Sequence, residues 1–247
     1  MAKAFRTTSS EALCIITGQV PITIKSKEAA QQYAMIKGKN KLAQIDIEVE
    51  PKNWIHPSKL VTICESSDIK QSTVNIFTDG SKNETGVGSG IAIFVGGKLT
   101  HQLQFKLSSR YTNNQAEQLA IVKALDTIAG RVPQAIDKPK TAAIYTDSSI
   151  TIDSLKNPRN HKSLIHMIRE KVTALEEKNW KIHLTWVKAH VGLYGKEMAD
   201  KLAKEAATDR SLQECYVKIP KSVILSELRD ESIANWETEW HDTNMTK

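Results

Sequence analysis

Cysteine is scarce in this chain: three in 247 residues, at Cys14, Cys64 and Cys215. The number is odd, the positions are far apart, and none stands in C-x-x-C spacing. Neither a zinc site nor a disulfide framework is expected, and a reducing compartment fits. Long apolar runs are missing too. No stretch approaches the roughly 18 residues that a membrane span needs. Met1–Glu11 has no apolar core of the signal-peptide kind, so secretion is not expected. The expected location is intracellular, in nucleus or cytoplasm, without a membrane partner. Internal repeats and low-complexity tracts are also absent.

What is present is an ordinary globular composition, 40% hydrophobic and 25% charged, with a net charge of +6 and a pI near 9.1. A mild basic excess is compatible with a polyanionic partner. The excess sits in residues 1–73 and 74–209, whereas 210–247 is acidic. Three regions are expected: an N-terminal helical and connector segment over 1–73, a compact α/β domain over 74–209, and an acidic helical tail over 210–247. In the first, Ser9-Ser10-Glu11 can cap a helix that Gly18 ends, and "KSKEAAQQYAMIKGK" reads as a second helix. Residues 45–62, broken by Pro51 and Pro57, read as a connector.

The middle region carries alternating and apolar runs at Val74–Thr78, Gly86–Val95, Lys98–Leu107, Thr141–Thr146 and Trp180–Val187, all read as strands. Gly96-Gly97 reads as a two-residue hairpin turn. Amphipathic patterns over Asn113–Ala129, Ser148–Lys156, His161–Glu177 and Lys196–Ala207 predict helices. An antiparallel meander leading into α/β crossovers implies a mixed five-stranded sheet with helices on both faces.

Carboxylates fall at telling places. Asp79 ends the first strand and Asp147 ends the fourth, where sites form in open α/β sheets. Glu117 and Asp200 lie one turn into helices. Each has a plainer explanation: Asp79-Gly80 as a hairpin turn, Asp147 as a helix N-cap, Glu117 as an acid at a positive helix end, Asp200 as a surface partner of Lys204 or Lys196. If the four converge, their mutual repulsion requires cations. An all-carboxylate set selects a hard ion such as Mg²⁺ or Mn²⁺.

The segments "FTDGS" (77–81), "YTNNQAE" (111–117), "YTDSS" (145–149) and "WVKAHVGLYGKEMADKLAKEAA" (186–207) resemble, in order, the four signature segments of type 1 ribonuclease H. "NNQAE" with "KAHVG" is most similar to the ribonuclease H of insect-type non-LTR retrotransposon polyproteins. The flanks, more loosely, resemble the end of the reverse transcriptase and the region beyond. No Y-x-D-D polymerase motif is present. The resemblance implies a ribonuclease H-like α/β fold with N- and C-terminal helical flanks. It implies an endonuclease that hydrolyses the RNA strand of RNA–DNA hybrids, leaving 5′-phosphate and 3′-hydroxyl ends. It implies two Mg²⁺ ions, for which Mn²⁺ can substitute, held by Asp79, Glu117, Asp147 and Asp200, with Asp79 shared. His190 would assist proton transfer or product release. Gly80, Ser81, Thr112, Asn113, Asn114, Gln115, Ser149 and Lys196 would contact the hybrid. The reverse transcriptase part of the same polyprotein is the second implied partner. The alternative is a hybrid-binding remnant without turnover. This chain departs from the family with Lys196 where Asn is usual, with Ser149 where some members have Gln, and with only "KNPRNHK" (156–162) joining the middle helices.

Overall fold

The structure, a computed structural model, describes residues 9–36, 47–48, 61–64, 72–130, 140–188 and 192–245. Its contacts gather the chain into two units. One is Val49–Val217, and the other combines Met1–Glu48 with Lys218–Lys247.

The larger unit is built on a sheet of order β1-β6-β5-β2-β3-β4. The five expected runs form β2 (Val74–Asn83), β3 (Gly86–Val95), β4 (Lys98–Leu107), β5 (Lys140–Thr146) and β6 (Trp180–Trp186). The meander β2-β3-β4 is antiparallel, and β5 and β6 continue the sheet in parallel. A sixth strand, β1 (Ile63–Cys64), pairs in parallel with β6 at the edge. Two residues beyond a proline-broken stretch carry no readable period, so patterning finds five strands and misses this one.

The Asp79-Gly80 turn is corrected by the structure. β2 runs on to Asn83, with Asp79 opposite Gly90 and Gly80 opposite Ser89. The chain reverses after Asn83, whose Oδ1 accepts from Thr85 N at 2.9 Å and Gly86 N at 3.0 Å. Local Asp-Gly chemistry favours a turn, but ladder bonds to β3 on both sides override it. The Gly96-Gly97 turn forms as expected, with φ of +56° and +80°.

One face of the sheet carries the main core. Ile76, Ile91 and Ile144 pack there with Leu119, Ile121 and Leu125 of helix α3 (Asn113–Gly130), and with Leu164, Ile165 and Ile168 of α5 (Ser163–Glu176). The short α4 (Ser149–Lys156) precedes α5. Arg169 of α5 is buried, and its guanidinium donates to the carbonyls of Ser154, Leu155, Asn157 and Asn160. It thereby closes the C-terminal end of α4, whose last carbonyls have no partner within the helix.

The other face is covered by α6 (Tyr194–Thr208), which lies almost directly on the backbone of β3. A Cβ at Gly90 would stand 2.1 Å from Ala199 O, one at Gly88 2.3 Å from Ala203 O, and one at Gly86 2.7 Å from Ala207 O. Every second residue of "GVGSG" thus faces α6 and must lack a side chain, while Val87, Ser89 and Ile91 point to the main core.

In the other unit, α1 (Ser10–Thr17) is capped by Ser9 Oγ, which accepts from Ala12 N at 3.1 Å. Gly18 ends the helix with φ +63°. Helix α2 (Ile22–Ile36) packs on α7 (Lys221–Met245). Ile219, Ile224 and Leu228 form a small cluster with Met35, Ile47 and Val223. Among the described residues, no helix is long and apolar enough to cross a membrane.

Candidate active site

Parallel register places the first two acids. Phe77 on β2 is level with Tyr145 on β5, so Asp79 and Asp147, each two residues further, stand side by side on one face. Their aromatic neighbours stack, with Phe77 and Tyr145 ring centroids 4.7 Å apart. Asp147 is not the cap of α4. Ser148 fills that role, its Oγ accepting from Thr151 N at 3.3 Å, which leaves the Asp147 carboxylate for other work. Trp186 Nε1 donates to the Asp147 carbonyl at 3.1 Å and pins the strand end from β6.

Glu117 reaches the same place from one turn into α3. A capping box starts that helix: Thr112 Oγ1 accepts from Gln115 N, and Gln115 Oε1 accepts from Thr112 N at 3.0 Å. Asn113, next in the chain, donates its amide to Glu117 Oε1 at 3.0 Å. Gly80 permits the approach, because a Cβ there would fall 2.6 Å from Glu117 N. Gly80 has no positive φ among the described glycines that do, so close packing, not turning, demands glycine here.

Asp79, Glu117 and Asp147 each offer a carboxylate oxygen, and these oxygens lie within 4.8 Å of one another. Asp200, on α6, borders the same cavity as Asp79, Asp147 and Lys196 but stands outside this triad. Its Oδ2 accepts from Lys204 Nζ at 2.7 Å, the i,i+4 pair expected from the sequence. Ser149 and Asn113 are exposed nearby on helix starts, while Gln115 is buried by its part in the cap. His190 lies outside the described residues.

Sequence reasoning missed the use of Lys196. Its side chain points inward, with Nζ 2.7 Å from Asp147 Oδ1, 3.0 Å from Asp79 Oδ1 and 3.0 Å from the Thr78 carbonyl oxygen. The signal was a lysine in the first turn of α6, read from the sequence as a contact to the hybrid or a surface partner of Asp200.

The electrostatics follow from burial. Asp79 is 7% exposed. Burial holds its carboxyl above the ordinary carboxylate range; the Lys196 ammonium opposes this and the Asp147 charge adds to it. Burial likewise raises Glu117, a hydrogen bond with Ser148 opposes, and the Asp147 and Asp79 charges add to the rise. A carboxyl raised on folding stabilises the fold below its ordinary value, here 4.5, and that contribution is lost as pH rises through the folded value. In metal-free protein, Glu117→Gln is therefore expected to melt at the same temperature as the parent near pH 4 and higher at pH 7. Thermal melts in chelator across that range measure it, and a gap that closes towards pH 7 contradicts it.

The RNase H family model matches residues 71–208, which contains all four signature segments. Ribonuclease H of Campylobacter jejuni is 32% identical over 143 residues, covering 54% of this chain and 90% of that protein. Human ribonuclease H1 is 31% identical over 150 residues, covering 54% of this chain and 50% of that protein. Among solved structures, ribonuclease H1 of the archaeon Halobacterium salinarum is similar at 22% identity with a TM-score of 0.41, covering 54% of this chain and 96% of that one. The matched span takes in more than half of the 247 residues, and the chain belongs to the RNase H family.

Proposed function

We propose that this chain hydrolyses the RNA strand of RNA–DNA hybrids with two Mg²⁺ ions, Mn²⁺ being able to substitute. The observation that carries the reading is the convergence of Asp79, Glu117 and Asp147, with carboxylate oxygens mutually within 4.8 Å. The donor set fits such ions. Among the described residues the set is three carboxylates without Cys or His, which suits a hard divalent cation, and burial makes two of the three costly to ionise. Asp79 would be the shared ligand, Glu117 and Asp147 would complete one site, and Asp200 would serve the other once freed from Lys204. When bound, the ions supply an activated water and charge stabilisation at the attacking and leaving oxygens.

The chain's own residues would bind and orient the hybrid. Asn113, Asn114, Gln115 and Ser149 offer polar groups suited to the minor groove, where the 2′-OH distinguishes RNA from DNA. Gly80 and Ser81 would approach the scissile strand, Thr112 a DNA phosphate, and His190 would help move a proton or release product. None of these groups reads base edges in the major groove, so cleavage would be largely independent of sequence. Products would carry 5′-phosphate and 3′-hydroxyl ends. Residues 74–209 would form the nuclease domain. The resemblance of "NNQAE" and "KAHVG" to retrotransposon sequences supports a place in reverse transcription, with the polymerase part as partner. One observation favours a second reading, a hybrid-binding remnant without turnover: a lysine ammonium lies between two of the acids.

The test is the full chain with a hybrid carrying end-labelled RNA, in Mg²⁺, in Mn²⁺ and in chelator. Cleavage of RNA in either metal and none in chelator is expected, with a matched DNA duplex left intact. Hybrid binding without cutting in both metals would establish the remnant instead, and cutting of the DNA duplex would point to another kind of nuclease.

A further inference from the structure

Lys196 is 5% exposed, and its ammonium has exchanged water for two carboxylates and one carbonyl. This is an unusual place for a lysine. It sits in the first turn of α6, where the helix end is itself positive, and a buried ammonium is strongly desolvated. Only the Asp79–Asp147 pair makes the position tolerable. The contact to Asp147 Oδ1 is also electrostatic in kind: that oxygen is buried, with the ammonium 2.7 Å away, yet no donor is aligned on it for a hydrogen bond. The Asp147 side of the contact is therefore held by charge alone, with no directional bond to lose when one cation replaces another.

We propose that Lys196 is a tethered counter-ion of the metal site. It neutralises Asp79 and Asp147 while no metal is bound, and a divalent ion must displace it to enter. This rests on the reading of Asp79 and Asp147 as metal ligands. An ammonium and a divalent ion cannot share these two oxygens, since like charges a few ångströms apart repel by several kcal/mol even at an effective dielectric constant near 20. The lysine therefore sets a threshold metal concentration below which the site stays closed by its own side chain. Its four-carbon stem lets the ammonium swing outward on displacement. Asn, usual here in the resembled family, carries no such charge.

The test reads metal binding rather than turnover. Mn²⁺ is titrated into the full-length protein without nucleic acid, with free Mn²⁺ followed by electron paramagnetic resonance. Lys196→Met is expected to bind Mn²⁺ more tightly than the parent, by about tenfold or more for removal of one nearby charge. Lys196→Arg, which keeps the charge, is expected to stay weak. In chelator, Lys196→Met should melt below the parent, and saturating Mn²⁺ should restore it. Lys196→Gln keeps a donor for the Thr78 carbonyl and serves if the Met variant does not fold. Equal or weaker Mn²⁺ binding by the uncharged variants overturns the proposal and leaves Lys196 a structural brace. If neither parent nor uncharged variant binds Mn²⁺, the assignment of the acids as metal ligands fails, and this proposal with it.

Discussion

Asp79→Asn is expected to lower hybrid cleavage by about a thousandfold or more at saturating Mg²⁺, because the carboxylate proposed to serve both ions supplies several kcal/mol of charge stabilisation. The loss should not come from unfolding. Asp79 is buried, and the cost of holding its charge there, from burial and from Asp147, offsets part of the Lys196 ion pair that the Asn variant gives up; Asp147 still faces that ammonium at 2.7 Å. The Asn side chain keeps the shape and can still accept from Gly80 N, as Asp79 Oδ1 does at 2.8 Å. Melting in chelator separates the two causes. A variant that melts within a few degrees of the parent and no longer cuts locates the defect in the chemistry. A folded variant that cuts at the parent rate would remove Asp79 from the reaction.

Gly90→Val is expected to cost about 3 kcal/mol or more, at or beyond the upper end of ordinary overpacking. The obstacles are backbone atoms, Ala199 O at 2.1 Å and Ala203 N at 2.4 Å from where a Cβ would stand, so no side chain can swing aside. Either α6 lifts from the sheet or β3 bows. Both movements reach the site, since Gly90 is the ladder partner of Asp79 and α6 carries Lys196 and Asp200. Denaturant titration should show a lower midpoint, with little change for Gly97→Ala apart from the backbone strain of its φ of +80°. A Gly90→Val protein as stable as the parent would mean that α6 does not rest on β3 as described.

Strands β2 to β6 are legible in the sequence because alternation and apolar runs survive in the primary text, which the two residues of β1 are too few to show, and the Gly96-Gly97 turn because local chemistry and ladder agree there. Asp79-Gly80 is misread because they disagree. A dipeptide sees only its own torsional preference, while the strand is held by partners at residues 89 and 90. The glycines of β3 look like weak strand formers until α6 is placed against them. Asp79, Glu117 and Asp147 can be proposed from their positions at strand and helix ends, but their convergence requires the register of β2 against β5. Lys196 is the least legible. A lysine ordinarily signals solvent, and only two acids from neighbouring strands far apart in sequence explain one that turns inward.

The pairing of Phe77 with Tyr145 has a consequence for how such a chain can change over time. Asp79 and Asp147 meet because the same count of residues separates each from that pair. Substitutions along β2 and β5 preserve the count, but inserting or deleting one residue between the pair and either acid turns that acid to the opposite face. Length variation is therefore confined to reversals such as Glu84-Thr85, downstream of Asp79, and to the connections between elements. Descendants of this sequence can diverge freely in letters while their spacing in these two strands stays frozen.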